Sequence, residues 1–139
     1  TAGIQTLIAK QDSVGPIRCF VWALEADDTM SFTWSDNGTA TSGTLKSSVM
    51  TLVADTQYHF AISRESNVLR MFVDGVMIYE NDEGSMVIID RVTQTRIGSM
   101  EWAAFERPVA GYMDNIRIVK GEALYKASFD PLLYHHSTA

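Results

Sequence analysis

Arg107 follows closely on Trp102 and Phe105, and Glu101 and Glu106 flank the aromatic pair on its two sides. An aromatic face beside charged donors and acceptors is what a sugar ring needs, a flat apolar surface with polar contacts at its edge. Trp102, Phe105, Glu101 and Arg107 are therefore the candidate glycan-binding residues, with Trp102 as a cover for one end of the core as the alternative. Carboxylates form a second set. Asp27-Asp28, Asp36-Asn37 and Glu80-Asn81-Asp82-Glu83 offer the hard oxygens that calcium prefers, although no fixed-spacing calcium loop is present. Asp27, Asp28, Asp82 and Asp114 are the candidate metal ligands, against the plainer reading of solvated loop acids.

Catalytic patterns are poorly supported. Glycoside hydrolysis needs two carboxyl groups flanking one bond, and no Glu-x-Asp-x-Glu or Glu-x-Asp-x-x-Glu run occurs. Glu80, Asp82 and Glu83 come nearest, but Asn81 and Gly84 make that stretch read as a turn. A serine triad lacks its base, because His59 is embedded in a strand-like run and His135-His136 lie in the polar tail. The adjacent histidines are poor zinc ligands, with no cysteine or third histidine beside them.

The elements that would position these residues read as strands. In Tyr58 to Arg64, Tyr58, Phe60 and Ile62 alternate with His59, Ala61 and Ser63, and Leu69, Met71 and Val73 alternate with Val68, Arg70 and Phe72. Glu65-Ser66-Asn67 turns the chain between them, and Asp74-Gly75 offers the positive φ angles of a tight hairpin into Val76 to Tyr79. Thr6 to Ala9, Ile17 to Leu24 and Met30 to Ser35 are further strand-length runs. They are separated by Asp12-Ser13-Val14-Gly15-Pro16 and Glu25-Ala26-Asp27-Asp28. Ser35-Asp36-Asn37-Gly38 signals another hairpin, with Thr39 to Gly43 as either an extension of the turn or an edge strand. Gly111 to Lys120 reads as a long closing strand in which Asp114 shares a face with Ile116 and Ile118 and Arg117 points the other way, towards a carboxylate on a neighbouring strand. Only Lys120 to Ala127 has helical spacing, over about two turns.

Composition sets the limits. With 139 residues, 46% hydrophobic, the chain reads as one domain over 1–139 whose core can form without staples. Cys19 is the single cysteine and sits in an apolar run, so a buried thiol is expected. A net charge of −6 with no basic stripe argues against nucleic acid and against anionic membranes. No apolar run is long enough to span a bilayer, so membrane insertion is not expected. Trp22 and Trp34 share faces with Phe20 and Phe32 in their strands and read as core, as do Tyr58 and His59.

YHFAISRESNVLRMFVDG and GYMDNIRIVKGEALY, with Phe129-Asp130-Pro131 after them, resemble the second half of a laminin-G-like, concanavalin A-like jelly roll. The resemblance implies an all-β fold, a two-sheet antiparallel jelly-roll sandwich with one short helical turn near the C-terminus. It also implies calcium in rim loops as a possible cofactor, and an aspartate at Asp114 that is either structural or close to a cation. The Lys-Gly, aliphatic-Tyr and Phe-x-Pro ending is most similar to copies in bacteriophage tail and head-fibre proteins. That implies a non-catalytic virion domain on the particle surface that recognises cell-surface carbohydrate on a host, contacts other virion proteins and forms a homo-oligomer. A capsid or tail decoration domain acting through protein contacts, and a glycoside hydrolase, are the other readings. Members of the family usually open with a strand for which only Thr1-Ala2-Gly3-Ile4 stands here, so a longer parent chain or a neighbour that supplies the strand is expected.

Overall fold

The computed structural model describes residues 3–12, 17–100 and 106–131. Among them are eight strands and no α-helix. Contacts divide the chain into two compact units, one of Thr1–Leu52 with Met86–Tyr112 and one of Val53–Ser85 with Met113–Ala139. No helix of the described residues is long and apolar enough to cross a membrane.

The first unit holds a five-stranded antiparallel sheet. β1 (Gln5–Asp12), β2 (Ile17–Leu24), β3 (Met30–Trp34), β4 (Gly43–Lys46) and β8 (Thr95–Ile97) lie in the order β4-β3-β2-β1-β8. Alternation gives the sheet two unlike faces. Phe20 and Trp22 of β2 stand opposite Trp34 and Phe32 of β3, and Phe32 lies 5.9 Å from Phe20 and 6.5 Å from Trp34, centroid to centroid. Gly43 faces Trp34 across β3 and β4, and the indole occupies the space a side chain there would need. The other face carries the smaller Cys19, Val21 and Ala23 of β2 with Ser31 and Thr33 of β3. Cys19 is buried, as its apolar run predicts.

The second unit holds a three-stranded meander of β5 (Phe60–Glu65), β6 (Val68–Val73) and β7 (Val76–Asp82). Its turns follow the sequence signals. Ser66 takes φ 54 between β5 and β6, while Asp74 and Gly75 take φ 48 and 75 between β6 and β7, the left-handed pair of a type I′ hairpin. A register shift between Met71 and Phe72 accompanies burial of both neighbours, so the central strand is covered on each side. Phe72 meets Tyr125 and Phe129 edge-on at 6.0 and 5.4 Å, and His59 packs edge-on against the same two rings. The aromatic cluster is thus the core reading of His59 realised. Tyr58 is half-buried, and its hydroxyl accepts the Val53 amide at 2.9 Å.

Three expectations are corrected. Gly111 to Lys120 is not a strand. Asn115 turns into the left-handed region at φ 49 and breaks the extended run, and Ile116 and Ile118 are exposed. Asp114 and Arg117 are therefore both exposed and lie on no sheet face. Lys120 to Ala127 forms bends rather than a helical turn. Gly121 has φ 93, and Tyr125 stacks on Phe129 at 3.8 Å while the Phe129 amide bonds Gly75 O at 2.9 Å, contacts that outweigh a weak local propensity. Glu80 to Asp82 is not a turn but the end of β7, in register with Arg70 to Val68. Of the alternatives for Thr39 to Gly43, the turn extension holds as far as Ser42, and β4 begins at Gly43.

Candidate functional site

The small face of the five-stranded sheet forms the floor of a cleft of about 170 Å³, made entirely of first-unit residues. Val21, Ala23, Ser31 and Thr33 supply short side chains to its floor, and Phe20 and Trp34 also line it. Polar groups surround it. Arg18 donates through Nη1 to Thr41 Oγ1 at 3.0 Å, and at the far end of β2 Glu25 accepts the Ser31 hydroxyl at 2.6 Å. Gln11 of β1 lines one side.

Met100 and Arg107 also line the cleft. The Met100 amide donates to Glu106 O at 2.9 Å, the Thr6 amide to Arg107 O at 2.9 Å, and the Ala110 amide to Gln5 Oε1 at 2.8 Å. These three bonds tie both flanks of the segment to each other and to β1. Arg107 itself sits at φ 42, a left-handed conformation that is uncommon for a residue with a Cβ.

Of the sugar-binding candidates, Arg107 is at the cleft, whereas Glu101, Trp102 and Phe105 lie outside the described residues. Arg18, Glu25, Gln11, Ser31, Thr33 and Thr41 were not singled out from sequence. For Glu25, Ser31 and Thr33 the signal was the alternation of Cys19 to Ala23 and of Ser31 to Thr33; Arg18 falls out of that alternation, in step with Phe20 and Trp22, beside the register shift between Lys10 and Gln11.

The metal candidates are divided between the two units. Asp27 and Asp28 belong to the first unit, Asp82 and Asp114 to the second. Asp27 Oδ1 accepts the Thr29 hydroxyl at 2.6 Å and Oδ2 accepts Lys46 Nζ at 3.2 Å; the Thr29 bond first, then Lys46, holds this carboxyl below its ordinary range. Asp28 occupies a left-handed turn position at φ 56, and Asp82 Oδ1 accepts the Gly84 amide at 2.9 Å. Among the described residues no three His, Cys, Asp or Glu side chains converge as a metal site would require.

Antiparallel sheets of five and three strands with almost no helix, and a cleft on one sheet face, define the class. The Laminin_G_3 family, described as the concanavalin A-like lectin/glucanases superfamily, matches residues 2–126, and the chain belongs to it. No curated protein matches the chain. Among solved structures, an S-layer domain-containing protein (residues 221–444) from Clostridium thermocellum is similar, with 19% identity and a TM-score of 0.47. That likeness covers 90% of this chain and 60% of the other.

Proposed function

We propose that the chain is a non-catalytic carbohydrate-binding domain whose sugar lies on the small face of the five-stranded sheet. The observation that carries this reading is the convergence of Arg107, chosen from sequence as a sugar contact, with Arg18, Glu25 and the short floor of Ser31 and Thr33 in one cleft. Hydroxyl-rich ligands need such interleaved donors and acceptors over a shallow apolar floor. Glu25 is the one carboxylate among the described lining residues, and hydrolysis of a glycosidic bond calls for two. Trp102 and Phe105 belong to this proposal on sequence grounds alone, as aromatic residues that closely precede Arg107 in the chain. The finer reading is adhesion from an extracellular particle such as a phage tail or head fibre, in an oligomer; its support is the resemblance of the Lys120-Gly121, Leu124-Tyr125 and Phe129-Asp130-Pro131 ending to copies in such proteins.

The test is binding of the full chain to a panel of immobilised host-surface polysaccharides, with reducing-end release measured in parallel. The expected result is saturable binding without release of ends, lost in Thr33→Tyr, which fills the cleft from its floor, while the melting temperature is kept. Release of ends would make the domain a hydrolase. A folded chain that binds no polysaccharide would favour decoration through protein contacts, a reading supported by the exposed Ile116, Ile118 and Val119.

A further inference from the structure

We propose that the sugar taken by this cleft carries a carboxylate, and that Arg107 is the residue that selects it. The inference rests on the carbohydrate-binding reading above and narrows its ligand class. The chain carries a net charge of −6, so an acidic polysaccharide is repelled at long range unless a local site reverses the sign. The cleft does so. Its described lining contains Arg18 and Arg107 against Glu25 alone, and Glu25 is engaged with the Ser31 hydroxyl. A guanidinium presents a planar fork of N–H donors that matches a carboxylate in two parallel bonds.

The backbone at Arg107 sharpens the assignment. An arginine in the left-handed region costs about 1 kcal/mol or more relative to glycine. Glycine would satisfy the turn at φ 42 without that cost. The main chain around it is nevertheless held by the Thr6, Met100 and Ala110 amide bonds, which fix the point at the cleft from which its exposed side chain departs. A positively charged group at a position where glycine is the better structural choice, on an anchored backbone and in the lining of the cleft, has the placement of a ligand contact. Arg18, bonded to Thr41, supplies a second positive group to the lining of the same cleft.

The experiment compares binding of the full chain to polygalacturonate and to polysialate, each beside its methyl ester, and to dextran. Wild type, Arg107→Gly and Arg107→Lys are measured. The ester keeps the sugar and removes the charge. Arg107→Gly keeps or relaxes the backbone, so its melting temperature should equal or exceed that of wild type. We expect one of the two acids to bind and its ester to bind about ten- to a hundredfold more weakly, the range of a lost charge-assisted pair. Arg107→Gly should lose the same factor for the acid and nothing for the ester, with Arg107→Lys intermediate. The polymer that binds identifies the uronate or the sialate as the source of the carboxylate. Equal binding of acid and ester, preference for dextran, or full affinity in Arg107→Gly would overturn the inference while leaving the carbohydrate reading standing. Failure of all five polymers to bind would remove both.

Discussion

Phe129 and Gly75 are locked together through their main chains: the Phe129 amide donates to Gly75 O at 2.9 Å, and the Phe129 carbonyl fills the space a Cβ on Gly75 would need. Gly75 also carries φ 75 in the hairpin between β6 and β7. Two independent demands, positive φ and close approach, thus fall on one residue. Gly75→Ala should destabilise the fold by about 2–4 kcal/mol, roughly 1–2 of it from the left-handed backbone and the rest from displacement of the Phe129 segment. Gly84→Ala is the control, since Gly84 has φ 59 with nothing near its missing Cβ, and it should cost only the backbone part. Urea unfolding of the two variants checks the difference; equal losses would mean that the Phe129 segment yields freely.

Tyr79 donates its hydroxyl to Glu83 Oε1 at 2.6 Å, and Asn81 Nδ2 donates to the same oxygen at 2.9 Å. Burial first, and then the Glu83 carboxylate, push the phenol up to about 12. The folded chain therefore favours the neutral phenol more than the unfolded chain does. Its contribution to stability is complete below the ordinary tyrosine value of about 10 and is lost as pH rises from there through about 12. Urea midpoints taken between about pH 9 and 11.5 should fall more steeply in wild type than in Tyr79→Phe. Parallel slopes would show that the Glu83 contact and burial do not bias the titration.

Gly43 and Trp34 make the corresponding pair in the first unit, facing each other across β3 and β4. A Cβ on Gly43 overlaps the indole ring, so Gly43→Ala must tilt Trp34 away and disturb its stack on Phe32. The expected cost is about 1–3 kcal/mol, the range for overpacking a fitted contact. A shift in tryptophan emission with that loss would report the tilt; an unchanged spectrum and unchanged stability would mean that the ring slides over the alanine.

The meander was legible because its signals are local. Alternation in Tyr58 to Val73 and the Asp74-Gly75 dipeptide each specify geometry within a few residues, and the register of Ala61 with Phe72 follows from the turn. Gly111 to Lys120 alternates as convincingly, yet pairing depends on a partner edge that no local pattern encodes, and Asn115 is a residue type that accepts positive φ. Lys120 to Ala127 failed for a related reason: Tyr125 and Phe129 are placed by their edge-on contacts with Phe72 and His59 and by the bond to Gly75, which are distant in the sequence. At the site, Arg107 was visible through its company of aromatic and charged neighbours. Arg18 and Glu25 were not, because they come to line one cleft with Arg107 only once the strands have paired.

Asp27 separates a structural carboxylate from a metal ligand. It closes the turn between β2 and β3, accepting the Thr29 hydroxyl and the Lys46 ammonium, while the Glu25 amide bonds Thr29 O at 2.8 Å across the same turn. Bonds to the ionised form, from Thr29 first and Lys46 second, lower its folded pKa, so the stabilisation is complete above the ordinary aspartate value of about 3.9 and is lost as pH falls below that. Asp27→Ala should therefore lower the melting temperature by a few degrees at neutral pH, and the gap between variant and wild type should narrow on acidification. Calcium bears on the same oxygens. If Thr29 and Lys46 are the working partners, the loss in Asp27→Ala is the same in millimolar calcium as in excess chelator, because no ion is being displaced. A calcium-dependent rise in the melting temperature of wild type that vanishes in Asp27→Ala would instead show that an ion competes with Lys46 for the carboxylate, and the turn would have to be counted as a metal site.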